Sequence, residues 1–210
     1  MSSTSPRRAA QPIRFHSFAL SGHCHRVALL LSLLDLPHET IEVNLPGGEH
    51  KQPTFLAKNP FGQVPMIEDG DRAISDSLAI LVYLAAEYGK GDWTPANALE
   101  AAEQQRWFSQ AAGPLAFGAA AARAHILFKA PLDLALAQTR AHGQLSVMNT
   151  HLATQDFLVG NRVSLADIAH YAYIARAPEG GVALDDYANV LRWLARIESQ
   201  PRFVPMPKSV

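Results

Sequence analysis

At 210 residues the chain can form one large domain or two small ones, and its 48% hydrophobic and 18% charged content is that of a globular protein. A net charge of −1, with no basic block beyond Arg7-Arg8, argues against nucleic acid as the main partner, because neutralising phosphates takes clustered cations. The single cysteine excludes an intrachain disulfide framework and fits a reducing cytoplasm, and no apolar run reaches the roughly 18 residues that span a bilayer, so no membrane partner is expected.

Residues 1–11 contain no apolar stretch for a signal-peptide core and are expected to form a disordered tail. Ile13, Phe15 and Phe18 lie among polar residues in the loose alternation of a half-buried strand over 13–18. Val27, Leu30, Leu31 and Leu34 then fall at helical spacing, which predicts a helix from Gly22 to Asp35. Ser21-Gly22-His23-Cys24-His25-Arg26 therefore sits where a strand ends and a helix starts. The unpaired N–H groups and partial positive charge of a helix N-terminus stabilise an anion such as a thiolate.

Leu36-Pro37 ends that helix, and His38 to Asn44 reads as a second strand, so the βαβ unit places the two strands parallel. A short helix is expected from Lys51 to Lys58, stopped by Asn59-Pro60. Val64–Glu68 and Arg72–Ile74 are short strands around Asp69-Gly70, a hairpin-turn signal. A helix follows from Asp76 to Tyr88. The first domain, 12–89, is thus β-α-β-α-β-β-α with a mixed four-stranded sheet. Residues 90–96 read as a linker. The second domain, 97–205, reads as all-helical, and 206–210 as a tail. Its helices are a long one over 97–122 with a kink at Gly113-Pro114, then 131–152, then one opened by the capping box Ser164-Leu-Ala-Asp167, then 187–199.

Three features of the first domain point to a ligand. In Phe61-Gly62-Gln63-Val64-Pro65 an X-Pro bond opens a strand; it is either an ordinary turn or a cis bond that turns the Val64 backbone outward to pair with an extended peptide. Ser75-Asp76-Ser77 opens a helix and is either plain N-capping or a site where Ser77 and the helix end hold a carboxylate while Asp76 holds an ammonium. His50-Lys51 is either a solvated pair or a clamp for a second carboxylate. His23, Cys24 and His25 are consecutive and point about 100° apart on a helix, so they do not converge on a metal, and none is expected.

These residues together resemble the glutathione transferase family, in its serine-type, theta-like form, from about Ile13 to Phe203. The resemblance rests on Leu-Ser-Gly-His-Cys-His-Arg-Val, Gly-Glu-His-Lys, Asn-Pro-Phe-Gly-Gln-Val-Pro, Ile-Ser-Asp-Ser-Leu-Ala-Ile and Ser-Leu-Ala-Asp-Ile. It implies a thioredoxin-like N-terminal domain, a helical C-terminal domain, a homodimer in the cytoplasm, and glutathione as co-substrate. It also implies roles for residues: a cis Pro65, the Val64 backbone on the cysteinyl unit with Gln63 beside it, Asp76 and Ser77 on the γ-glutamyl end, and His50 and Lys51 on the glycyl carboxylate. The family more often carries Glu at the Asp76 position. Its tyrosine-using members carry that residue at the Ser17 position, so a phenol mechanism does not fit; its serine-using members match Ser21.

Ser21 is accordingly the expected activating group, with Cys24 and Ser17 as alternatives. Cys24 stands where the second cysteine of a redox Cys-x-x-Cys would be, without the first, and is expected to be a packed residue. The electrophile is expected in a cleft walled by Leu20, His23, Phe108, Ala112, Phe117 and Arg123. Helical core is the ordinary reading of Trp107, Phe108 and Phe117. Alanines at 116, 119–122 and 124 mean either a roomy cleft or close helix approach. The activity expected is conjugation of the glutathione thiolate to hydrophobic electrophiles, as in detoxification. The alternatives are a glutathione-dependent disulfide reductase, thiol transferase or isomerase, and a non-catalytic binding module of the same fold.

Overall fold

The computed structural model of the chain describes residues 11–209. Of the tail expected at 1–11, all but Gln11 lies outside the described residues. Packing divides the chain between Thr94 and Pro95 into two compact units.

The first unit is a four-stranded mixed sheet with helices. Its strands are β1 (Ile13–Ser17), β2 (His38–Glu42), β3 (Met66–Asp69) and β4 (Arg72–Ser75), in the order β2-β1-β3-β4. β1 pairs parallel with β2, with Phe15 opposite Thr40, and antiparallel with β3, with Phe15 opposite Ile67. The parallel pair is joined by helix α1 (Gly22–Leu33), whose Val27, Leu30 and Leu31 are buried. α2 (Pro53–Leu56) is a single turn, and α3 (Ser77–Tyr88) packs against α1.

Two elements differ from expectation for identifiable reasons. His50 and Lys51 lie in a 3-10 turn, Glu49–Lys51, and not in the second helix. Pro53 forces Gln52 to an extended conformation (ψ 149°), so the helix can start only at the proline itself. β3 starts at Met66, not Val64, because Pro65 has no N–H for the ladder and follows a cis bond. Val43, Phe55 and Met66 form a buried cluster with Val64 and Leu45 packed on it, so the loop before β3 is seated on apolar side chains worth about 1.5–3 kcal/mol each when fully buried. The β3–β4 hairpin is pinned to α3 by the Tyr83 and Tyr88 phenols, which donate to one Asp69 oxygen at 2.6 and 2.5 Å.

Among the described residues of the second unit, every regular element is a helix. α4 (Ala98–Gln110) gives way to a wide-turned segment, Ala111–Ala120, then α5 (Ala121–Phe128), α6 (Leu134–His151), α7 (Leu165–Ala175) and α8 (Ala188–Glu198). The long helix expected over 97–122 therefore runs on to 128, with Pro114 inside the wide segment and a break in dihedrals at Gly118. At 31 residues Ala98–Phe128 is long and apolar enough, by composition, to cross a membrane. Alanine supplies much of that character, and Trp107, Phe108, Leu115 and Ala119 are buried in the unit's own core. A Cβ on Gly118 would stand 2.9 Å from the Ala141 backbone, so the small residues here serve close approach to α6.

α7 opens with the expected capping box. Ser164 accepts from Asp167 N, and the Asp167 carboxylate accepts from Ser164 N. The stretch read as a tail, 206–210, packs on the unit over its described part: Met206 is 1% exposed, its carbonyl accepts from Arg176, and Ser209 N donates to Glu179.

Candidate active site

The start of α1 places a hydroxyl and a thiol side by side. Ser21 has the extended dihedrals of a helix N-cap (φ −84°, ψ 118°), and its Oγ accepts from Cys24 N at 3.2 Å. Cys24 is buried, and its sulfur accepts from Phe18 N at 3.3 Å. Burial pushes the Cys24 thiol up, against hydrogen bonds from Ser21, the Phe18 N–H and Ser17 that favour the thiolate. Ser17 is buried at the end of β1. Ser21 lines a cavity of about 560 Å³, and Cys24 and Ser17 are not among its walls.

The turn Glu49–Lys51 and the loop before β3 form the opposite wall. Gly62 adopts φ +55°, and a Cβ there would stand 2.9 Å from the His50 carbonyl. Only glycine allows that approach without displacement. Lys51 Nζ donates to the Gly62 carbonyl at 2.7 Å, which locks the turn to the loop. Asn59 is buried and serves both strands of the loop: its Nδ2 donates to the Gln63 carbonyl at 2.7 Å, and its Oδ1 accepts from Phe61 N. The Val64–Pro65 bond is cis. His50, Lys51, Gln63, Val64 and Pro65 all line the cavity.

The third wall is the start of α3. Asp76 holds φ +71°, a conformation rare outside glycine, and caps the helix through Oδ1, which accepts from Leu78 N and Ala79 N at 2.9 and 3.0 Å. Ser77 is buried but reaches the cavity, and its Oγ lies 3.0 Å from Arg26 Nη1. His23, another wall residue, has Nδ1 2.8 Å from the same Arg26 nitrogen. Burial first, and the Arg26 charge second, push the His23 imidazole down to about 3.

All nine first-domain residues assigned to the peptide, the sulfur and His23's wall position thus border one cavity: Ser21, His23, His50, Lys51, Gln63, Val64, Pro65, Asp76 and Ser77. Leu20 is half-buried and outside that wall. The other expected wall residues belong to the helical unit. Phe108 is buried in its core, and so is Trp107, edge-on to His151 and His170. Arg123 is also buried and donates to Glu179 at 2.6 Å, an ion pair within the unit. Ala112 and Phe117 are exposed. Two residues that brace the cavity wall escaped the sequence reading. Asn59 had no signal, since Asn before Pro is ordinary turn chemistry. Arg26 had one: a charge three and four residues before Leu29 and Leu30, on the buried stripe of α1. Among the described residues, no group of three or more His, Cys, Asp or Glu side chains converges as for a metal.

A profile described as glutathione S-transferase, N-terminal domain, matches residues 20–87, and one for the C-terminal domain matches 128–201. Glutathione S-transferase 3 of Zea mays is 34% identical, over 93% of this chain and 96% of its own. A solved glutathione S-transferase from Pseudomonas fluorescens superposes with a TM-score of 0.88 at 32% identity, covering 94% of this chain and 100% of that one. A possible glutathione S-transferase from Rhodopseudomonas palustris gives 0.87 at 31%, covering 95% and 100%. Ure2p in complex with glutathione, at 20% identity and a TM-score of 0.83, shares the fold.

Proposed function

The chain belongs to the glutathione S-transferase family and is a transferase, and from that premise we propose that it joins the glutathione thiolate to apolar electrophiles, with Ser21 holding the sulfur. The observation that supports this reading is the convergence of four separate chain segments on one cavity around the cis Val64–Pro65 bond. The Val64 backbone takes the cysteinyl unit as a short strand pairing. Ser77 and the α3 N-terminus take the γ-glutamyl carboxylate, and Asp76 Oδ2, not used in the helix cap, takes the ammonium. His50 and Lys51 take the glycyl carboxylate; Lys51 has two N–H groups beyond the one on Gly62.

The sulfur then lies at the start of α1. A hydroxyl proton rotates freely, so Ser21 can turn it onto the bound sulfur while Oγ still accepts from Cys24 N. That bond and the helix dipole favour the thiolate. The thiol proton leaves to solvent, and the thiolate attacks the electrophilic carbon. A carbon–sulfur bond forms, and the leaving group departs with its electron pair. A disulfide route through Cys24 is not adopted, because burial holds that thiol up and away from the cavity wall.

We further read the chain as a cytoplasmic homodimer, as its family typically is. Phe61, Phe117 and Val147, exposed by 72%, 61% and 57%, are apolar side chains a partner subunit would cover. Calorimetry with glutathione, followed by conjugation to a chlorinated nitroarene, tests the activity. Binding with turnover is expected; no binding at millimolar glutathione would contradict the reading.

A further inference from the structure

Asn59 is 1% exposed and sits between α2 and the loop that carries Gln63 and Val64 on the cavity wall. Its side-chain amide meets two loop groups that leave it a single orientation. Phe61 N–H can only donate, to Oδ1 at 3.2 Å, and the Gln63 carbonyl can only accept, from Nδ2 at 2.7 Å. The Asn59 backbone is held as well: its N–H donates to the Phe55 carbonyl at 2.9 Å, and its carbonyl accepts from Gly62 N at 3.0 Å. The Gln63–Val64 peptide is planar and trans, so its C=O and N–H point opposite ways. With the Gln63 carbonyl held on Asn59, the Val64 N–H faces away from Asn59. Among the described residues, nothing accepts from that N–H.

We infer that Asn59 is a positioning residue that orients the Gln63–Val64 peptide, so that the Val64 N–H is presented to an amide carbonyl of the bound peptide. The inference rests on the glutathione reading of the cavity and deepens it. Preference for a peptide carbonyl then depends on a side chain that acts only through the loop backbone. An amide suits the position because it donates and accepts on one short stem; a carboxylate has no proton for the Gln63 carbonyl, and an alkyl group does neither. Lys51 Nζ holds the neighbouring Gly62 carbonyl at 2.7 Å, a second tether on the same loop. Ordering the loop in the free protein removes that entropy cost from the binding step.

The test has two arms. Backbone nitrogen relaxation on the wild-type chain without ligand should give order parameters of about 0.85 at Gly62, Gln63 and Val64, unchanged when glutathione binds. Values below about 0.6 that rise on binding mean that the ligand orders the loop, and they overturn the inference. Calorimetry then compares glutathione with its (E)-alkene isostere, in which a carbon–carbon double bond replaces the cysteinyl–glycyl amide and leaves no carbonyl. Wild type should prefer glutathione by roughly tenfold, and Asn59→Ala should lose most of that preference while binding the isostere as before. A merely structural role weakens both peptides alike; that outcome, or full preference kept in Asn59→Ala, overturns the inference. Asn59→Leu takes its place if Asn59→Ala does not fold, and if neither folds the wild-type order parameters decide. If wild type binds neither peptide, the proposed function fails, whereas binding of both without preference overturns this inference alone.

Discussion

The chain starts two helices with a serine followed three residues later by a group that can answer it, and the two starts do different work. At α7, Ser164 and Asp167 close on each other: Ser164 Oγ donates to Asp167 Oδ2 at 2.6 Å, and Asp167 also accepts from Ser164 N, Leu158 N and the buried Trp193 Nε1. At α1, Ser21 is answered by Cys24, whose buried sulfur meets the Ser21 hydroxyl and the Phe18 N–H and offers no carboxylate to seal the cap. Ser21 caps through one bond and borders a cavity; Ser164 caps through a sealed network. The fourth residue of the motif, aspartate or cysteine, sets whether the serine is sealed in a carboxylate network or stands on a cavity wall.

That contrast is broken most severely at Asp167. Asp167→Ala leaves four donors without an acceptor in a fully buried site, and a loss of about 3–5 kcal/mol in denaturant unfolding is expected. Serine-to-alanine changes at the two caps then separate the roles. Each should cost about 1 kcal/mol of stability. Ser21→Ala should also slow conjugation by about 10- to 100-fold, the worth of a hydrogen bond to a charged group. Ser164→Ala should leave kcat/KM unchanged in the folded fraction.

A smaller effect is expected from pH. Folded His23 is held at about 3 against its ordinary 6.5, so the unfolded chain takes up the extra proton first. Its contribution is complete above about pH 6.5 and is lost as pH falls toward 3, with on the order of 1 to 2 kcal/mol gone by pH 5. His23→Gln should flatten that part of the stability curve. The smallest effect is expected from Cys24→Ala: about 1 kcal/mol for a small buried side chain, with conjugation close to wild type.

Much of the first domain's cavity wall was legible because it depends on backbone chemistry that short motifs announce. Gly62 must approach a carbonyl, Pro65 must open a strand, and Asp76 must cap a helix; each demand restricts the residue type locally. The wiring behind the site was hidden, because Arg26 and Asn59 act across 51 residues and across a loop, and no local pattern reports such partners. The helical unit was read less well for a related reason. Its alanine-rich segment holds its path by touching α6, and the turn widening around Pro114 and the break at Gly118 follow from packing, not from spacing. Arg123 shows the same limit: a charge expected on a cleft wall is paired with Glu179 in the interior.

The central claim is that Ser21 stabilises the thiolate of bound glutathione, and the ultraviolet absorbance of that thiolate, titrated against pH on the complex, reads it without any electrophile. Wild type should ionise bound glutathione well below the thiol's free pKa, and Ser21→Ala should return it to near the free value while Ser164→Ala does not. The same low pKa in Ser21→Ala as in wild type would contradict the account.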